Sequence, residues 1–198
     1  MSFALGVRAD IKEAERYLTR VERRQVPFAT ALALTRTAQD AQRAETRNVR
    51  KQLDNPVVYT QRAFGVIPAK KRDMPMRSSV FIKDRQYEYL KYQIDGGQRL
   101  PKRRAIPVPG RELKTNKYGN MPRGKIQRLL ARPDTFSGVV NGVPGIYQRM
   151  RRRGPKLLVL YASQANYQRR FYFYRTAEMV GRNRFAKNFD DAMKQALK

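Results

Sequence analysis

Between Gly96 and Pro133 the chain reads GGQRLPKRRAIPVPGRELKTNKYGNMPRGKIQRLLARP. Pro101, Pro107, Pro109, Gly110, Gly119, Pro122 and Gly124 recur too closely there for helix or strand to run through most of it. Proline fixes φ and removes a backbone donor, and glycine admits angles that other residues avoid. A segment this long with so little regular structure is uncommon within a compact domain, where it serves as a functional arm or a disordered linker. The stretch also carries eleven Lys and Arg against one acid, Glu112. That charge favours an arm with an acidic or phosphate-bearing partner. Its candidate interface or phosphate-contact residues are Arg99, Lys102, Arg103, Arg104, Arg111, Lys114, Lys117, Arg123, Lys125 and Arg128, joined by Arg151, Arg152 and Arg153 in a later basic turn.

Within the stretch, Gly119 to Ile126 satisfies most of the phosphate-loop pattern G-x-x-x-x-G-K-[ST]. Ile126 stands where a magnesium-binding hydroxyl belongs, and the polar run Lys114 to Tyr118 is a poor preceding strand. The plainer reading is a turn that opens a short helix from Lys125 to Ala131. The whole chain of 198 residues has 43 Lys and Arg, 16 Asp and Glu and a net charge of +27, far beyond what solubility requires. Such a charge predicts binding to polyanions or to an acidic protein surface. With no cysteine and no histidine, disulfides, thiolate metal sites and the commonest general base are absent. Asp84, Glu88 and Asp95 form the best carboxylate cluster, but Lys83, Arg85 and Lys91 are interleaved, which favours solvated ion pairs over a metal site. The residues therefore predict a protein that is not an enzyme and needs no cofactor. With no long apolar run and no signal-peptide core at the N-terminus, it is expected in a cytoplasm.

In chain order, Asp10 and Glu13 look like a capping box for an amphipathic helix over about 10–24. Pro27 suits the first turn of a second, long helix that runs to Asn55-Pro56. The first half of that helix is rich in alanine and leucine, and its second half, with Arg43, Arg47, Arg50 and Lys51, is polar almost all round. Val57 to Thr60 and Ala63 to Ile67 are β-prone, Ala69 to Arg77 is a basic loop, and Ser79 to Lys83 is a short strand. Arg85 to Ile94 places Tyr87, Leu90 and Ile94 on one helical face, with Gly96-Gly97 as its stop. Thr135 to Val140 and Val143 to Met150 flank Asn141-Gly142 as a hairpin, and Lys156 to Ala162 follows as a buried third strand. Phe171 to Tyr174 alternates as a strand near the core would, although aromatics beside Arg169 and Arg170 also suit base stacking. Phe185, Phe189, Ala192, Met193 and Ala196 place an apolar stripe on a C-terminal helix. The fold class is α+β: N-terminal helices including a long one, a small mainly antiparallel sheet, a C-terminal helix and a long basic extended arm. The organisation is one domain over 1–198, with 96–133 as a Pro/Gly-rich arm or insertion.

The order of VPFATALALTRTA, YLKYQIDGG, NKYGNMPRGKI and a closing FAKNFDDAMKQAL resembles bacteriophage minor tail protein Z and the related tail-completion proteins. The resemblance is one of layout over most of the chain plus these short blocks. It implies a structural virion component of the tail or the head-tail neck, assembled as a ring of copies of itself around the DNA channel. Other tail or neck proteins are then its partners, DNA phosphates are a further candidate contact, and no membrane is involved. A ribosomal- or nucleoid-type protein that binds nucleic acid without sequence preference is the alternative that charge alone allows equally.

Overall fold

The computed structural model describes residues 16–19, 21–73 and 75–198, without the side chain of residue 22. Its architecture is α+β, as the sequence predicts. The elements are α1 (Val26–Gln52), α2 (Val58–Gln61), β1 (Phe64–Ile67), β2 (Ser79–Ile82), α3 (Asp84–Ile94), β3 (Gly97–Arg99), β4 (Ile106–Pro109), α4 (Lys125–Leu130), β5 (Thr135–Val140), β6 (Val143–Gln148), β7 (Lys156–Ala162), β8 (Ala165–Tyr167) and α5 (Phe173–Ala196). These form two compact units. One joins the described residues up to Arg47 to Ala63–Lys83 and Phe173–Lys198, and the other joins Asn48–Arg62 to Asp84–Tyr172.

In the first unit, alanine spacing lets two helices approach closely. Ala29 and Ala33 of α1 are fully buried with Ala192 of α5, and Leu32, Phe189, Met193 and Ala196 close around them. The helices run antiparallel, because further along α1 the partners come earlier on α5: the amide of Asn188 donates to Thr37 Oγ1 and Asp40 Oδ2, both at 3.0 Å. Burial tends to raise the Asp40 pKa, but the Asn188 and Arg43 hydrogen bonds hold it below the usual carboxylate range. The β1–β2 hairpin is pinned to α1 by Gln42 Nε2 donating to the Phe64 carbonyl at 2.9 Å and by the Ala69 amide donating to Thr35 Oγ1 at 3.0 Å.

Two helix expectations change here. The capping box at Asp10 and Glu13 lies outside the described residues, and the expected break before Pro27 is instead a π-helical turn, Val21–Gln25, that leads directly into α1. The proline ring crowds the carbonyl four residues back, and a wider turn gives it room. The second half of α1 is also not polar all round. Ala29, Ala33, Thr37, Ala41, Glu45 and Val49 form one i, i+4 row and every member is buried.

The second unit is built on a four-stranded antiparallel sheet in the order β4-β7-β6-β5. Asn141 and Gly142 join β5 to β6 with φ of 50° and 78°, the paired positive angles that a type I′ hairpin requires. A bulge in the β6–β7 register opposes Ile146 to Val159 and Tyr147 to Leu157, so Leu158 is the extra residue. Leu158 and Val159 are consequently both buried, in a cluster with Ile146, Leu113 and Leu129. Two glycines admit the bulged backbone. A Cβ on Gly145 would sit 2.4 Å from the Val159 carbonyl oxygen, and one on Gly110 would sit 2.7 Å from that of Leu157. Gly145→Ala is accordingly expected to destabilise the chain by roughly 2 kcal/mol or more, as overpacking against backbone does. Gly154→Ala, with nothing within 4 Å of its Cβ position, is the control. Equal thermal midpoints for the two variants would contradict the close approach.

The basic stretch is irregular over most of its length, yet it is anchored. It contributes β3, the edge strand β4 and α4, and it inserts Leu113 and Leu129 into the sheet's core. Strand β4 is made of Ile106-Pro107-Val108-Pro109, and the Gly110 amide donates to the Leu158 carbonyl at 2.8 Å. By the alternation of a strand, Ile106 and Val108 also direct their amides at β7, so both prolines fall on the outer edge where no donor is needed. Other short segments differ from expectation. Val58–Gln61 is a helical turn rather than a strand, because the Thr60 and Gln61 amides both donate to the Val57 carbonyl and the Thr60 hydroxyl shares a 2.9 Å hydrogen bond with Tyr89. On α3 the buried row is Gln86, Leu90 and Ile94, while Tyr87 is 43% exposed. Phe171 and Phe173 are buried and Tyr172 and Tyr174 exposed, the alternation expected, but Phe173 begins α5 instead of lying in a strand.

Candidate polyanion interface

All thirteen candidate cations lie in the second unit, which holds 23 Lys and Arg against 6 Asp and Glu. Between Gly96 and Tyr172 the only acids are Glu112 and Asp134, and each is taken by a neighbour. Lys156 Nζ lies 3.0 Å from Glu112, and Arg132 Nη2 lies 2.5 Å from Asp134. The Arg132 hydrogen bond, with a second from Gln148, holds the Asp134 carboxyl below its ordinary value. Of the thirteen, only Lys102 has an ion pair among the described residues, to Glu88 at 2.5 Å, and that ammonium holds the Glu88 carboxyl below its usual range. Arg99 and Lys125 are half-buried and the other eleven are exposed.

The candidates fall into separate places. Arg103 and Arg104 line a hollow of about 740 Å3 with Ile126, Ser137 and Tyr161. Ile126 also lines an adjoining hollow with Lys125 and Gly124. Close by on α4, Arg128 Nη2 donates to the Arg123 carbonyl at 2.8 Å, so Arg103, Arg104, Arg123, Lys125 and Arg128 form one basic surface around a short helix. That helix is opened by Gly124 at φ 69°, follows a turn and not a strand, and has six residues. Arg111 lies two residues beyond the end of β4, and Arg151, Arg152 and Arg153 form the turn from β6 to β7. These four share one end of the sheet, where Glu112 and Lys156 pair. Lys114 is exposed beside the buried Leu113.

No protein-family model matches the chain, and no curated protein sequence and no solved structure matches it either.

Arg99 and Lys117 belong to a third place that the sequence pattern does not disclose. Arg99 lines a cleft of about 380 Å3 with Tyr89, Tyr118, Tyr167 and Arg170, drawn from four separate segments. Lys117 Nζ sits 5.2 Å from the centre of the Tyr118 ring. Nothing in composition or spacing marks Tyr167. Arg170 is marked only by its place beside the aromatics from Phe171 to Tyr174, a pattern that reads more readily as core. Among the described residues no group of three or more carboxylate, imidazole or thiol ligands comes together, and no helix is long and apolar enough to cross a membrane.

Proposed function

We propose that this chain is a structural component of a bacteriophage tail or head-tail neck, a tail-completion type of protein. Its second unit presents basic side chains to neighbouring subunits and to DNA phosphates. The layout shared with minor tail protein Z motivates the tail assignment. The observation that carries the chemistry is the exposed surface around α4, whose cations have no carboxylate partner among the described residues and rest on a folded sheet. Exposed basic residues contribute little to stability, so their accumulation answers to something outside the chain. No catalytic step and no cofactor enters this reading. Copies of the same chain, arranged as a ring, are its first expected partners.

Replacing Arg123, Lys125 and Arg128 together with Gln is the test. The purified variant should melt within a degree or two of the parent, since Arg123 and Arg128 are exposed, the half-buried Lys125 has no ion pair among the described residues, and such surface charges rarely contribute more than about 1 kcal/mol. Supplied to a phage lacking the gene, it should yield unfinished tails or unjoined heads by negative-stain microscopy. Infectious particles at the parental yield would remove this surface from assembly.

A further inference from the structure

We infer that the cleft between α3 and the loops at Asn55 and Asn120 is a binding site for a nucleotide of single-stranded nucleic acid. The base would lie against tyrosine and the phosphate on Arg99, beside the Arg170–Asp54 ion pair. The inference rests on the reading of the second unit as facing a polyanion and names the ligand for one part of it.

The cleft is preformed. Asn55, at a positive φ of 44°, donates from its side-chain amide to the Lys117 carbonyl at 2.5 Å, tying the loop after α1 to the loop that carries Tyr118. A non-glycine residue held at such an angle persists where surrounding structure fixes it, and these angles concentrate at binding sites. The Asn116 carboxamide oxygen accepts from the Tyr118 and Asn120 amides, both at 3.0 Å, which sets the second loop. On the other wall, Tyr167 stacks on Tyr92 at 5.6 Å and Tyr89 is fixed by Thr60. A volume of about 380 Å3 lies in the range of small-molecule sites. A second hollow of about 560 Å3 shares Gln93, Tyr167 and Arg170 with it, so the groove continues for a neighbouring nucleotide.

The lining chemistry selects the ligand. Asp54 is the only acid, and its carboxylate is held by Arg170 at 3.1 Å. Arg99 has no carboxylate partner among the described residues and is half-buried, and a guanidinium can meet a phosphate with two parallel N–H donors. Three tyrosine rings and the amides of Gln93 and Asn120 suit a planar base with polar edges, and a groove that pairs stacking faces with cations is how single strands are held. An acidic peptide would use the arginines and leave the rings without a purpose. Duplex DNA would meet the exposed cations around α4 and leave the cleft empty.

The experiment measures binding of the full chain to a short oligothymidylate, to a duplex of equal length and to a polyglutamate peptide. The parent and the variants Tyr118→Ala, Tyr118→Phe and Arg99→Gln are compared. Single-strand affinity is expected to fall about 10-fold in Tyr118→Ala, the effect of removing one base stack, and to survive in Tyr118→Phe. It should fall by a similar factor in Arg99→Gln, while duplex affinity stays unchanged in all three. Arg99→Gln carries the test if Tyr118→Ala does not fold. Equal single-strand and duplex affinity, unmoved by the variants, would overturn the cleft and leave the basic surface standing. Binding to none of the three probes would overturn the polyanion reading itself. An effect of the variants confined to the peptide would overturn the nucleotide and reassign the cleft to an acidic chain.

Discussion

Glu45→Met is expected to stabilise the chain by a few kcal/mol at pH 8 and by much less at pH 5. The Glu45 side chain is fully buried, and neither carboxyl oxygen has a hydrogen-bond partner among the described residues. Burial pushes its pKa from 4.5 up to about 8. Between those two values the folded chain keeps a proton that the unfolded chain has released. Raising the pH therefore draws the equilibrium toward the unfolded state, with a slope of at most about 1.4 kcal/mol per pH unit. The stability is complete below about pH 4.5 and lost as pH rises towards 8. Methionine keeps the length and helix preference and removes the unsatisfied polar atoms. For a chain of this size each kcal/mol moves the thermal midpoint by about 2–4 °C, so a gain of roughly 10 °C at pH 8 is the expected order. Parallel curves of midpoint against pH for parent and variant would mean that this carboxyl is ionised and paired at neutral pH.

Duplex DNA affinity should collapse with salt. If the second unit neutralises about 6–10 phosphates, affinity falls by about 10³–10⁵ between roughly 50 and 200 mM salt. Removing Arg123, Lys125 and Arg128 should flatten the slope of log affinity against log salt by about 0.9 for each phosphate that is no longer neutralised. The Arg151, Arg152 and Arg153 triple variant provides the comparison, because a turn between β6 and β7 is basic for solubility alone if its slope matches the parent's. Titrations over that salt range decide both points. A binding constant independent of salt would replace phosphate contact with base or shape recognition.

Local signals disclose the hairpin at Asn141-Gly142, the buried strand β7, the stop at Gly96 and the Phe189, Ala192, Met193 and Ala196 part of the stripe on α5, since turn chemistry or periodicity there agrees with tertiary packing, whereas Phe185, expected on the same stripe, is exposed. Strand β4 is hidden because its prolines argue against a strand, and only the partner β7 shows that they sit on the unpaired edge. Leu113 is hidden among basic residues for a similar reason, since an isolated leucine has no period, whereas Leu129 follows Ile126 at the helical spacing of the predicted short helix. Glu45 is visible in principle as the one carboxylate in an i, i+4 row of small and apolar residues, but the arginines around it mask the row. The cleft lies beyond the reach of local signals. Asn55, Tyr89, Arg99, Tyr118 and Arg170 are spread over more than a hundred positions and meet only through the fold.

The tail reading and the nucleoid reading share the same basic surface, and they part on where the chain resides after assembly. Quantitative mass spectrometry of purified, nuclease-treated infectious particles tests this most directly. A structural tail or neck component is predicted to be present at one fixed small copy number per particle, unchanged by high-salt washing that strips loosely bound basic proteins. Absence from the particles, or a copy number that scales with packaged DNA and washes away with salt, would contradict the assignment and favour a protein that coats nucleic acid.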